Sequence, residues 1–168
     1  PQDALGGEMP DVPFQMLTAL RLGKDEWADI ARNASWQATR MNLNTFARHG
    51  VFEVPGMATM IADRLKNAAS IQKARVYPYQ LMVAYLASGK DVPREVKDAL
   101  QEAMEIATAS VPAMNRKIYV CPDVSGSMSS PVTGYRKGSS SAVRCIDVAA
   151  LITACIMRKN GDADVLPF

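Results

Sequence analysis

The chain has 168 residues, 48% of them apolar and 21% charged, which excludes intrinsic disorder and leaves room for one globular domain or parts of two. Its net charge of +2 is too small to announce a nucleic-acid partner, and is split as −1 up to Asn115 and +3 beyond it, so an RNA surface would have to come from local clustering. The absence of an apolar run of about 18 residues excludes a membrane span, and the polar Pro1-Gln2-Asp3-Ala4 start is no signal peptide.

Residues 11–22 read as a first helix, with Pro13 near its first turn and Gly23 beyond its end. Asp25-Glu26-Trp27 opens a second, with acids in the first turn and Trp27, Ile30 and Ala31 at helical spacing. A third starts after Asn33 or Ser35 and runs to Arg48, with Trp36, Met41 or Leu43, and Phe46 inward and Gly50 as its stop. After the Val54-Pro55-Gly56 turn, Met57, Met60, Ile61 and Leu65 mark a fourth. Pro78 breaks the chain again, and Tyr79 to Ala87 is apolar enough to predict a buried helix. Beyond Gly89-Lys90-Asp91-Val92-Pro93, the spacing of Val96, Leu100, Ala103, Met104 and Ala107 predicts a last helix from Arg94 to Val111. Helices joined by short turns suggest an α-solenoid of stacked pairs, with a compact bundle as the alternative.

The pattern changes after Pro112-Ala113-Met114-Asn115, which divides the chain into a helical region, 1–115, and a second region, 116–168. There, a strand from Lys117 to Cys121, a helix from Ala142 to Lys159 and a strand from Asp164 to Phe168 read as a β-α-β unit with parallel strands. Ligands of open α/β sheets sit beyond the carboxyl ends of the strands, where Asp123-Val124-Ser125-Gly126-Ser127 falls. One carboxylate and two hydroxyls at alternate positions, Asp123, Ser125 and Ser127, offer the hard oxygen ligands that Mg²⁺ or Mn²⁺ takes. A serine-rich turn capped by its Asp is the alternative, but the strand before and the helix after favour the metal. Cys121, Cys145 and Cys155 have no metal or redox spacing, and their odd number and apolar settings fit buried thiols in a reducing cytoplasm. His49, the one histidine, stands at a helix end, where capping explains it.

The D-x-S-x-S spacing resembles the metal-ion-dependent adhesion site of von Willebrand A domains. In company with Leu43-Asn44-Thr45-Phe46-Ala47-Arg48-His49-Gly50-Val51 and Ala74-Arg75-Val76-Tyr77-Pro78-Tyr79-Gln80-Leu81, it resembles the Ro autoantigen (TROVE) family, particularly its bacterial members. That resemblance implies a ring of HEAT-like helical repeats closed by a Rossmann-like von Willebrand A domain. This chain would cover the last repeats over 1–115 and the incomplete start of the A domain over 116–168. It further implies binding of Y RNA-like structured noncoding RNA and of misfolded RNA 3′ ends, with an exoribonuclease or another protein as partner, and no catalytic activity of the fold itself. The chain departs from eukaryotic members at Met41-Asn42-Leu43-Asn44 and at Tyr77, so the RNA contacts of those members are not carried over.

From the residues themselves, Arg40, Asn42, Asn44, Arg48 and His49 cluster on one helix and its end, and Arg64, Lys66, Lys73 and Arg75 form a second basic group. Cations neutralise phosphates, and Asn and His hydrogen-bond sugars and bases. Arg136-Lys137 is a basic loop tip. The expectation is a cytoplasmic noncoding-RNA-binding scaffold in RNA quality control or repair, with a divalent-metal site for docking a protein partner. The competing expectation is a metal-dependent adaptor without RNA. A hydrolase is disfavoured because no second carboxylate cluster accompanies Asp123.

Overall fold

The computed structural model describes residues 22–132 and 143–168, so the expected helix over 11–22 and the Arg136-Lys137 tip lie outside the described residues. The described residues are mainly helical with a small sheet. In order they form α1 (Lys24–Asn33), α2 (Trp36–Met41), α3 (Leu43–Arg48), α4 (Met57–Leu65), α5 (Ala68–Ala74), α6 (Pro78–Ala87), α7 (Arg94–Ala107), β1 (Tyr119–Val120), α8 (Cys145–Lys159) and β2 (Asp164–Val165). Contacts group them into two units, residues up to 65 with 88–99, and residues 66–87 with 100–168.

In the first unit, α4 packs on α1 and α2. Its core holds Trp27, Ile30, Trp36, Leu43, Phe46, Met57, Ile61 and Leu65, at inward positions expected from helical spacing, while Met60 is only half-buried. The third expected helix is instead two. The Asn42 amide donates to the Ala38 carbonyl at 2.8 Å, a back-bond that competes with the helical ladder, and the backbone leaves the helical region there (φ −114°, ψ 14°). The break turns Met41 outward, 68% exposed, and leaves Leu43 as the core residue. Gly50 closes α3 at φ +72°; a Cβ there would lie 3.2 Å from Lys24 Cδ and 3.4 Å from Glu53 Oε2. A left-handed residue in so tight a setting is best supplied by glycine.

Two side chains finish the helices of this unit. Arg64, on α4, donates to the carbonyls of Ala31 (2.6 Å), Arg32 (2.6 Å) and Ala34 (2.9 Å) and to the Thr39 hydroxyl (3.0 Å). Those carbonyls end α1 and have no partner further along it. Trp36, on α2, donates from Nε1 to the Leu65 carbonyl at 3.0 Å and so closes α4.

In the second unit, α5 was not expected from spacing. Only Ile71 of it is buried, and its start is set by Asn67, whose side chain accepts from the Ser70 N–H at 2.9 Å. The α6 helix begins at Pro78 rather than after it, because proline suits the first helical position, and Gln80 accepts the Tyr77 N–H at 3.0 Å just before it. Of α6 only Pro78 and Leu81 are buried, and Leu86 is 47% exposed, so the fully buried helix expected from composition is instead half-exposed. The regular part of α7 stops at Ala107, and a 3₁₀ turn, Thr108–Ser110, completes the expected span.

Tyr119 pairs with Asp164 and Val120 with Val165, in parallel. The ladder outruns the two short strands: Asp164 N–H donates to Ile118, Leu166 to Val120 and Phe168 to Pro122, and Val124 N–H donates to Phe168 at 2.9 Å. Cys155 is buried as expected, but Cys145 is only half-buried and Cys121 is exposed, because the two-stranded sheet covers too little of the strand's faces. Asn160 ends α8 and is 8% exposed; it accepts the Met114 N–H at 2.7 Å and donates to the carbonyls of Ile156 (2.9 Å) and Pro112 (3.3 Å).

Candidate functional site

The ladder carries the chain to Pro122, and Asp123 stands just past the carboxyl end of β1. Its Oδ1 accepts the Ser125 N–H at 2.8 Å, which folds Val124 into a tight turn. Ser125 and Ser127 then flank Gly126 with their hydroxyl oxygens 3.0 Å apart. The 3₁₀ turn Gly126–Ser129 is held by Met128 and Ser130 N–H groups donating to Ser125 and Ser127. Ser130 in turn accepts the Cys145 N–H, which opens α8 against the loop. The N–H and the hydroxyl of Ser125 hold the Asp123 carboxyl below the usual carboxylate range, so it is ionised at neutral pH.

An octahedral ion with bonds of about 2.0–2.1 Å places adjacent ligands about 3 Å apart, so the hydroxyl pair has the spacing of two neighbouring ligands. It is also the spacing of a hydrogen bond. Among the described residues there is no group of three or more His, Cys, Asp or Glu that could hold a metal. An ion held here would rest on one carboxylate and two hydroxyls, a donor set for Mg²⁺ or Mn²⁺ rather than Zn²⁺.

The residues expected to touch RNA are divided between the two units. Arg40, Asn42, Asn44, Arg48 and His49 lie along α2 and α3 in the first unit, whereas Arg75 ends α5 in the second. Two of the five have structural employment: Asn42 bonds back to Ala38, and Asn44 Oδ1 accepts the Gly89 N–H at 2.8 Å. Arg48 is exposed, and Arg40 half-buried. The His49 N–H donates to Thr45 as the cap of α3, and its ring lies flat on Trp27, centroids 4.2 Å apart and planes at 13°. Burial and then the neighbouring Arg48 charge lower its pKa, which keeps the imidazole neutral near pH 7. In the second basic group Arg64 is consumed by the end of α1, while Lys73 and Arg75 are exposed. Tyr77, just before Pro78, is 53% exposed.

No family model matches the chain. A curated relative, "RNA-binding protein RO60" of Deinococcus radiodurans, is 34% identical over 100 residues, covering 52% of this chain and 19% of the relative. The crystal structure of the Deinococcus radiodurans Ro (Rsr) protein matches with a TM-score of 0.61 at 24% identity, over 92% of this chain and 35% of that one. The chain therefore spans about a fifth of the curated relative and about a third of the solved one, and shares the solved protein's fold over nearly all its own length.

Proposed function

We propose that this chain belongs to the Ro family and is part of an RNA-binding scaffold. The observation that carries this reading is the 34% identity to a protein named for RNA binding. In the finer form of the reading, residues 1–115 contribute HEAT-like repeats and residues 116–168 begin a von Willebrand A domain. The bound RNA is structured and noncoding, of the Y RNA kind, or the 3′ end of a misfolded transcript, and the setting is cytoplasmic RNA quality control or repair. The scaffold itself catalyses nothing.

Mg²⁺ or Mn²⁺ held by Asp123, Ser125 and Ser127 belongs to the same proposal. The ion would supply an open coordination position for a partner's carboxylate, while Asp123 provides the charge and the Ser125–Ser127 pair the adjacent oxygens. An exoribonuclease or another protein would dock there. Because that loop lies past β1 and its donor set is independent of the basic residues, it also supports a second reading, a metal-dependent adaptor that binds no RNA.

Salt separates the two. Counterion release makes RNA affinity fall steeply as salt rises, while docking through an ion is lost in EDTA. Binding of the full chain to a hairpin RNA with and without a single-stranded 3′ tail should depend on the tail, weaken with salt and survive EDTA. Absence of binding to either RNA at low salt would hand the lead to the adaptor.

A further inference from the structure

Asn160-Gly161, at the end of α8, is the one Asn-Gly pair in the chain. In such a pair the asparagine carboxamide is a single ring closure away from the next backbone nitrogen, and glycine leaves that nitrogen unshielded by a side chain. Neither packing nor backbone conformation calls for a glycine here. A Cβ on Gly161 would meet nothing within 4 Å, and its φ lies outside the left-handed region that Gly50 and Gly56 occupy.

Asn160 is the opposite case, buried and fully engaged. Its Oδ1 accepts the Met114 N–H, and its Nδ2 donates to the carbonyls of Ile156 and Pro112, so the leaving nitrogen is held at both of its protons. For the Gly161 nitrogen to reach Asn160 Cγ, it must eclipse Cβ about the Cα–C bond. The native ψ of 86° holds it nearly opposite, and the Ala163 N–H, donating to the Asn160 carbonyl at 3.0 Å, fixes that peptide plane. The fold therefore withholds a reaction that the sequence invites. Both restraints depend on the same small contact, the end of α8 against residues 112–114.

We propose that Asn160-Gly161 is a self-modifying site, held off by the native fold and released when the end of α8 parts from residues 112–114. The Gly161 nitrogen gives its proton to solvent and attacks Asn160 Cγ. The Cγ–Nδ2 bond breaks, and that nitrogen takes up a proton and leaves as ammonia. Water opens the resulting succinimide ring at either carbonyl, to aspartate or isoaspartate. The net change is amide and water to carboxylate and ammonium, with no oxidant and no cofactor. A carboxylate accepts but cannot donate, so on reclosure it faces the Pro112 and Ile156 carbonyls without a bond to either. Isoaspartate also inserts a methylene into the main chain, shortly before Asp164 pairs with Tyr119. A transient opening is thereby made permanent, independently of RNA and of any metal.

The test incubates the full chain in neutral buffer with and without urea, digests it with pepsin at acid pH, and follows conversion at Asn160 by mass spectrometry. Conversion should be slower in the native chain by at least about tenfold, the population ratio that even a modest local opening energy gives. Met114→Pro removes the N–H that Asn160 accepts and should speed native conversion by about 2- to 10-fold, while leaving the rate in urea unchanged. Gly161→Ala, whose Cβ has room, should slow conversion severalfold in both states. Aged wild type should melt below fresh wild type, and Gly161→Ala should keep its midpoint over the same incubation. Equal rates with and without urea overturn the protection. No conversion at Asn160 even in urea, or a converted chain that melts like a fresh one, overturns the site itself.

Discussion

Arg64 places Nη1 2.6 Å from the carbonyl of Ala31, so a side chain of α4 completes the last turn of α1. Burial pushes the pKa of this guanidinium down, and three carbonyls with one hydroxyl surround it. The side chain that looked like an RNA contact in the sequence is part of the frame.

Replacing it should therefore cost stability. Arg64→Ala leaves partly buried carbonyls without a donor and should destabilise by about 2–4 kcal/mol, read as a fall in the urea midpoint. Arg64→Lys keeps the charge but cannot reach several carbonyls at once, and should recover less than half of the loss. An RNA affinity that fell with no change in midpoint would return Arg64 to the binding surface.

The Trp27–His49 stack predicts a pH dependence. The native imidazole titrates below the 6.5 of an unfolded one, so between that value and the native pKa the unfolded chain binds the extra proton. Stability is then fully present above about pH 6.5 and declines as pH falls toward the native value. His49→Phe keeps a flat ring against Trp27 and should erase this part of the slope in urea melts run from pH 7 to pH 5. An unchanged slope would assign the dependence to other groups.

Asn160 offers a sharper test of geometry because it donates and accepts in the same buried place. Asn160→Ala orphans the Met114 N–H and should cost about 1–3 kcal/mol. Asn160→Asp keeps an acceptor for Met114 but turns a carboxylate oxygen on the carbonyls of Pro112 and Ile156, so it should be the worse variant at pH 7 and improve as the solution is acidified. Equal thermal midpoints for the two variants at pH 7 would contradict that geometry.

If the Asp123 loop holds the proposed ion, Asp123→Ala should abolish Mn²⁺ binding measured by electron paramagnetic resonance, and Ser125→Ala and Ser127→Ala should each weaken it. RNA binding should survive all three. Loss of both ligands together in Asp123→Ala would mean one site rather than two.

The core positions of α1, α4 and α7 were legible because each helix is amphipathic and long enough for its period to show. The α5 helix was not, since a seven-residue helix with one buried anchor, Ile71, has no period to read. Composition misjudged α6 for a related reason: an apolar sequence says that burial is affordable, and says nothing of whether a neighbour is there to provide it. The Asp123 loop could be placed from sequence because a strand end and alternate hydroxyls are local features. The role of Arg64 could not, because its four partners lie about thirty residues away and are chosen by the packing of α4 on α1.

The parallel pairing of Tyr119 with Asp164 has a kinetic corollary. Neither strand can find the other until the whole crossover between them, α8 included, has been gathered in, and the entropy of closing that long loop is met before any ladder bond forms. The turn at Asp123 is fastened to this ladder through Val124 and Phe168, so it should be among the last parts of the chain to take shape and among the first to exchange its amide protons. An ion gripping that turn would act as a latch on the slowest-forming contacts of the molecule.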